Sequence, residues 1–156
     1  MQPLRDPRPT PDLKICGITD PEQAQAIAQM GVQAIGVIGV PATPRFVEPA
    51  QRRALFQLLE QQHPQLHRVW VVADPDDAAL EEALNGAGQP SVVQLHGSES
   101  NEHCQRLKQR YPGQQWWKAL RVREPDDLKQ LEQYAPHVDA LLLDAWSADQ
   151  LGGTGH

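Results

Sequence analysis

The sequence predicts an α/β fold with a parallel sheet, and within that class a (β/α) barrel. Short apolar runs of strand length alternate with longer stretches of helical periodicity, and a sixth strand follows the fifth such pair. The last four predicted strands begin about 24 residues apart, which is more regular than open doubly wound sheets usually are. Neither G-x-G-x-x-G after the first strand nor G-x-x-x-x-G-K-[ST] occurs. The pattern favours the barrel and leaves an open parallel sheet as the alternative.

Six runs rich in β-branched or aromatic residues are predicted as buried strands. Strands of a parallel sheet are covered on both faces, so they are nearly continuous in apolar residues. In chain order the runs are LKICGI (13–18), AIGVIGV (34–40), RVWVVA (68–73), SVVQLHG (91–97), WWKALRV (116–122) and ALLLDA (140–145).

Five stretches between these runs have apolar residues at helical spacing and are predicted as helices. They are 21–31, 49–61, 76–87, 100–111 and 125–135. Each start carries a capping side chain or a proline in the first turn, and Asp74 is predicted to be a helix cap. The ends are marked by Gly31, Asn85-Gly86 and Pro112-Gly113.

Length and charge limit the classes of function. A chain of 156 residues is expected to form one domain, over 12–156, after a disordered Pro-rich tail over 1–11. The net charge of -6 predicts no binding to nucleic acid or to an anionic membrane. No apolar stretch reaches the roughly 18–20 residues that cross a bilayer.

The two cysteines, Cys16 and Cys104, do not indicate a disulfide framework, and the amino terminus lacks the apolar segment of a signal peptide. We therefore expect a cytoplasmic protein. Cys104 lies on a predicted helix face and is interpreted as a small buried hydrophobic residue.

Polar side chains follow the predicted strands at their carboxyl ends. In barrels and open parallel sheets alike, these ends meet at one rim, where catalytic groups gather. A thiol, carboxylates, an imidazole and guanidinium groups on one rim indicate an acid/base site that holds an anion. These residues are Cys16, Arg45, Asp74, His96, Arg121, Arg123 and Asp144.

Several motifs together resemble phosphoribosylanthranilate isomerase of tryptophan biosynthesis. They are KICGIT (14–19), PATPRFV (41–47), VVQLHGSES (92–100), KALRVR (118–123), LLLDA (141–145) and GGTG (152–155), which occur in the family's order from about residue 13 to the last residue. The resemblance implies a (β/α)8 TIM-barrel fold, of which this sequence contains only about six of the eight strands.

The resemblance also implies roles for individual residues. Cys16 matches the general base and Asp144 the general acid. Arg45 matches an arginine that holds the substrate, plausibly through its anthranilate carboxylate, and His96 lines the site. The remaining positions expected to bind substrate are Gln94, Arg121, Gly152 and Gly153.

The implied reaction is an Amadori rearrangement of N-(5-phosphoribosyl)anthranilate, a phosphorylated aminosugar. An acid protonates the ring oxygen, which requires that Asp144 stay protonated near neutral pH. A base then removes the C2 proton, and a cysteine thiolate suits this step because an ordinary thiol titrates at about 8.5. The chemistry needs no cofactor and no metal.

The sequence also departs from the family pattern. Family members continue past GGTG through two further strands, whose loops supply most of the phosphate site, and the run GVIGVPATPR differs from their loop after the second strand. An alternative is therefore a truncated, non-catalytic relative that lacks the phosphate-binding loops. Six strands of an eight-strand pattern would leave open sheet edges, through which we expect self-association.

Overall fold

The computed structural model describes residues 11–145, which form alternating strands and helices as predicted. The predicted tail over 1–11 lies outside the described residues except for its last position. The elements, in chain order, are β1 (Lys14–Cys16), α1 (Pro21–Gln29), β2 (Ala34–Ile38), α2 (Pro49–Gln62), β3 (His67–Val72), α3 (Asp77–Ala83), β4 (Val92–Leu95), α4 (Asn101–Arg110), β5 (Gln115–Val122), α5 (Gln130–Tyr134) and β6 (Ala140–Ala145).

The six strands form one parallel sheet in the order β1-β2-β3-β4-β5-β6. A doubly wound sheet reverses its strand order at a switch point, whereas a barrel keeps its strands in chain order. The observed strand order is therefore that of a barrel and not that of an open doubly wound sheet.

The sheet is curved rather than flat. Lys14 of β1 donates a hydrogen bond to Gln94 of β4, although three strand spacings separate these strands, about 14 Å in a flat sheet. Only a sheet that curls around its inner face brings the two side chains together. The inner face is therefore concave, and the helices lie on the convex face.

Successive side chains along each strand point to opposite faces of the sheet, so the core has two layers. The larger cluster lies between sheet and helices and includes Ile35 and Val37 of β2, Trp70 of β3 and Leu95 of β4. A smaller cluster faces the concave side and consists of Ala34, Val69, Val71 and Val92. Both faces of the central strands are thus covered, which confirms their interpretation as buried strands.

The predicted helix over 125–135 is only partly an α-helix. A 3-10 turn occupies Pro125–Lys129, the α-helix is restricted to α5, and a second 3-10 turn follows at Ala135–His137. Asp127 accepts hydrogen bonds from the backbone N–H groups of Arg123 and Glu124, which favours a tight turn at the start. Pro136 has no N–H to continue the helical ladder at the end.

The prediction that Asp74 caps a helix is wrong. Helix α3 begins at Asp77, and its cap is Asp76, whose side chain accepts from the N–H of Ala79 at 2.8 Å. Asp74 has a φ of +49°, a left-handed conformation that aspartate tolerates better than most residues. Its carboxylate instead accepts from the N–H of Ser98 in the loop after β4.

The other helix boundaries agree better with their predicted signals. Asp20 accepts from N–H groups at the start of α1, and Ser100 accepts from the N–H of His103 at the start of α4. Gly31 takes a φ of +86° just after α1 ends. Within residues 11–145, no helix is both long and apolar enough to cross a membrane.

Candidate active site

A cavity of about 770 Å³ opens on the concave face at the carboxyl ends of the strands. Side chains from the first strand and from the sixth line the same cavity, because the sheet is curved. Five residues predicted from sequence contribute to its wall: Cys16, Arg45, Gln94, His96 and Asp144.

Cys16 lies at the end of β1, where its thiol is exposed to the cavity. Lys14, two residues earlier, points to the same face because side chains alternate along a strand. Burial lowers the pKa of Lys14 below its ordinary value of 10.5, and the negative charge of the neighbouring Cys16 thiolate opposes this shift. Lys14 was not predicted as a site residue, although its spacing of two from Cys16 indicated a shared face.

Arg45 belongs to the loop after β2, and backbone contacts hold that loop against the rim. Phe46 forms a parallel bridge with Ile38, and the N–H of Val47 donates to the carbonyl of Ile38 at 3.0 Å. The Arg45 side chain passes over Gly17, since a Cβ at Gly17 would lie 2.8 Å from both its Cδ and its Nη1. Gly17 also has a φ of +82°. Glycine is therefore favoured there both by the close Arg45 side chain and by the left-handed backbone conformation.

His96 and Asp144 are in direct contact, with 2.9 Å between His96 Nε2 and Asp144 Oδ2. Gln94 approaches the other ring nitrogen, with 3.4 Å between its Nε2 and His96 Nδ1. Asp144 therefore contacts an imidazole whose second nitrogen contacts an amide.

Arg121 is paired in register with Asp144 on the neighbouring strand, but it is not among the residues that line the cavity. Its Nη2 donates to the backbone carbonyl of His96 at 3.0 Å. Arg121 therefore contacts the backbone at the rim of the cavity and does not form part of the cavity wall.

The loop that follows His96 is held by a buried ion pair that was not predicted from sequence. Lys118 of β5 points to the convex face, and its Nζ lies 2.7 Å from Glu99 Oε1. Glu99 also accepts from the N–H groups of Gly97 and Asp74, so its carboxylate joins the loops after β3 and β4. The backbone beside His96 is therefore fixed from the convex side of the sheet, by charged groups that do not enter the cavity.

Two other sequence-predicted positions, Asp74 and Arg123, do not line the cavity wall. Gly152 and Gly153 lie outside the described residues. Cys104 is fully buried on α4, as predicted, and burial raises the pKa of its thiol to about 11. Among the described residues, no group of three or more His, Cys, Asp and Glu side chains could hold a metal ion.

The family model of N-(5'phosphoribosyl)anthranilate (PRA) isomerase matches residues 13–156. The chain belongs to this family. It is 47% identical over 143 residues to the N-(5'-phosphoribosyl)anthranilate isomerase of Gloeobacter violaceus, an alignment that covers 92% of this chain and 63% of the relative. The isomerase of Synechococcus elongatus is also 47% identical, with 92% of this chain and 65% of the relative covered. The chain thus spans less than two thirds of the length of these curated relatives.

Solved structures of phosphoribosylanthranilate isomerases share the fold. The enzyme from Thermotoga maritima superimposes with a TM-score of 0.78 at 27% identity, over 93% of this chain and 66% of that chain. A phosphoribosylanthranilate isomerase in complex with reduced 1-(o-carboxyphenylamino)-1-deoxyribulose 5-phosphate gives a TM-score of 0.74 at 28% identity, over 87% of this chain and 66% of that chain. The prediction of an incomplete barrel of the (β/α)8 type is confirmed by this match.

Proposed function

We propose that this chain carries the acid and base of a phosphoribosylanthranilate isomerase, which acts in the biosynthesis of L-tryptophan. The observation that carries this proposal is the shared cavity: Cys16 enters it from β1 and Asp144 from β6. A substrate between the two outermost strands would meet a thiol on one side and a carboxyl group on the other. Membership of the isomerase family supports the assignment.

The reaction needs one proton delivered and one removed. Asp144 donates a proton to the ribose ring oxygen, the ring opens, and an iminium forms between the anthranilate nitrogen and C1. The iminium acidifies the proton on C2, which the Cys16 thiolate removes, so that an enolamine is left. Tautomerisation of the enolamine gives the aminoketose, 1-(2-carboxyphenylamino)-1-deoxyribulose 5-phosphate. The reaction is thus an intramolecular aldose-ketose isomerisation.

Lys14 supports the role of Cys16. Its amino group is within hydrogen-bond reach of the thiol, and a lysine beside a cysteine is typical of reactive thiols. We assign the removal of the C2 proton to Cys16 for this reason as well as for its exposure to the cavity.

Arg45 is the cavity-lining arginine suited to an aromatic carboxylate, because a guanidinium group binds carboxylates with two parallel hydrogen bonds. Gln94 and His96 line the inner wall where the ribose would lie. Arg121, Gly152 and Gly153 remain proposed substrate-binding positions. A phosphoribosylanthranilate isomerase has been solved with reduced 1-(o-carboxyphenylamino)-1-deoxyribulose 5-phosphate, which agrees with a phosphorylated aminosugar as the partner.

A second candidate is a non-catalytic relative that associates with other copies along its sheet edges. Leu13, which precedes β1, and Leu143 of β6 are 54% and 58% exposed, and exposed apolar groups beside strand edges favour association. Both candidates are compatible with a cytoplasmic location and with the absence of nucleic-acid or membrane partners.

The loss of substrate fluorescence with purified protein separates the two candidates. The isomerase proposal predicts turnover that falls at least about 100-fold in Cys16→Ala and in Asp144→Ala, the usual loss on removal of a general acid or base. Cys104→Ala, at the cysteine on α4, serves as the matched control and should retain turnover. A well-folded wild-type chain without turnover would overturn the isomerase proposal, and a defined oligomer in sedimentation would then support the second.

A further inference from the structure

Four side chains form a continuous line of contacts across the concave face. Lys14 Nζ donates to Gln94 Oε1, Gln94 Nε2 lies 3.4 Å from His96 Nδ1, and His96 Nε2 lies 2.9 Å from Asp144 Oδ2. The line begins beside the proposed base, Cys16, and ends at the proposed acid.

The direction of these hydrogen bonds follows from Lys14. An ammonium group only donates, so the Gln94 amide must present its carbonyl oxygen to Lys14 and its NH₂ group to His96. His96 Nδ1 then has to accept and carries no hydrogen. The neutral imidazole therefore carries its single hydrogen on Nε2, which donates to Asp144 Oδ2.

This tautomer has a consequence for a general acid. The Nε2–H group donates to Asp144 Oδ2 and so fixes the orientation of the carboxyl group. The other oxygen, Oδ1, is then the one that can deliver a proton to the substrate.

We propose that Gln94, oriented by Lys14, is a positioning residue that holds His96 in the Nε2–H tautomer and so fixes the orientation of the Asp144 carboxyl group. The inference rests on the proposed isomerase function for the use of the Asp144 carboxyl group. Of the other charged groups near His96, Arg121 donates to the backbone carbonyl and not to the ring. The tautomer of the His96 ring is thus set by Gln94 at Nδ1 and Asp144 at Nε2.

Nitrogen NMR of the full chain tests the tautomer directly, without substrate. Near neutral pH, the His96 shifts should show an unprotonated Nδ1 and a protonated Nε2, with the signal assigned by its loss in His96→Asn. A wild-type ring that is protonated on Nδ1 would overturn the proposal, and this result does not depend on whether any variant folds.

Gln94→Glu reverses the polarity of the contact. A carboxylate at this position can only accept, so His96 Nδ1 should become protonated and the neutral ring should no longer donate from Nε2 to Asp144. The kcat for isomerisation should fall about 100-fold, the usual contribution of a general acid, with a smaller change in KM. Gln57→Glu, at an exposed position of α2, adds the same charge and should leave the His96 shifts and kcat unchanged.

The two measurements keep the proposals separate. An Nε2–H tautomer in a chain without turnover would contradict the isomerase function and leave the assignment of the ring intact. An active chain whose His96 shifts and kcat are the same in wild type and Gln94→Glu would overturn the positioning role.

Discussion

Gly36 of β2 lies directly beneath the Cys16 thiol of β1, its partner in the sheet register. A Cβ at Gly36 would lie 2.7 Å from Cys16 Sγ and 3.2 Å from Lys14 Cε. Side chains do not approach so closely, so the absence of a side chain at this position allows the thiol and the ammonium group to lie together.

Gly36→Ala should therefore displace the thiol from Lys14 while the sheet is retained. We expect slower alkylation of Cys16, because the displaced thiol loses its contact with Lys14, and, under the proposed function, a fall in turnover of about 100-fold for a displacement on the order of 1 Å. Gly113→Ala is the matched control, because a Cβ there meets no atom within 4 Å. Equal alkylation rates in the two variants would contradict the packing argument.

The two cysteines should differ in reactivity. Cys16 is exposed, whereas Cys104 is buried and its thiol pKa is raised to about 11. Near pH 9 only about 1% of a thiol with that pKa is ionised, and the thiolate is the reactive form. A chromogenic thiol reagent should thus titrate one cysteine per native chain and both after denaturation. Rapid reaction of both in the native chain would show that α4 opens readily.

The stability contributed by Lys14 should depend on pH. Its pKa in the folded chain is lowered from 10.5, mainly by burial, so the unfolded chain binds more protons between the two pKa values. The folded state is penalised while Lys14 is charged, and the penalty disappears as the pH rises through the folded pKa towards 10.5. The free energy of unfolding of wild type minus that of Lys14→Met should therefore rise over this interval.

Denaturant unfolding at a series of pH values measures this difference, in which the titrating groups that do not interact with Lys14 cancel. Lys129→Met serves as a control, since Lys129 is 79% exposed. A falling or flat difference for Lys14→Met would contradict the burial of the ammonium group.

Loss of one partner of the Glu99–Lys118 ion pair should be strongly destabilising, because the two side chains are only 0% and 2% exposed. Lys118→Met leaves a buried carboxylate without its partner and should reduce the free energy of unfolding by about 3–5 kcal/mol. Loss of an exposed pair of charges costs at most about 1 kcal/mol, so Lys129→Met should have a small effect. The double variant Glu99→Gln and Lys118→Met should be less destabilised than the sum of its single variants.

The elements that could be predicted from sequence are those with a strong local signal. Strands β2, β3 and β4 are continuous apolar runs, and α1 and α4 begin at capping side chains that serve as predicted. The region 125–135 has helical spacing of its leucines, but Asp127 and Pro136 favour 3-10 turns at its two ends. The Asp74-Pro75 pair predicts a helix cap at Asp74, but Asp76 caps α3 instead. Asp74 contacts a loop that is distant in sequence.

The sequence by itself determined the family, the parallel sheet and the rim to which Cys16 and Asp144 belong, because strand ends follow from local patterns and motifs. Only the tertiary structure decided what these residues contact. Lys14 meets Gln94 across 80 positions of chain, and His96 meets Asp144 across 48. Such contacts depend on the curvature of the whole sheet, which arises from strand twist and helix packing together and leaves no signal at any single residue.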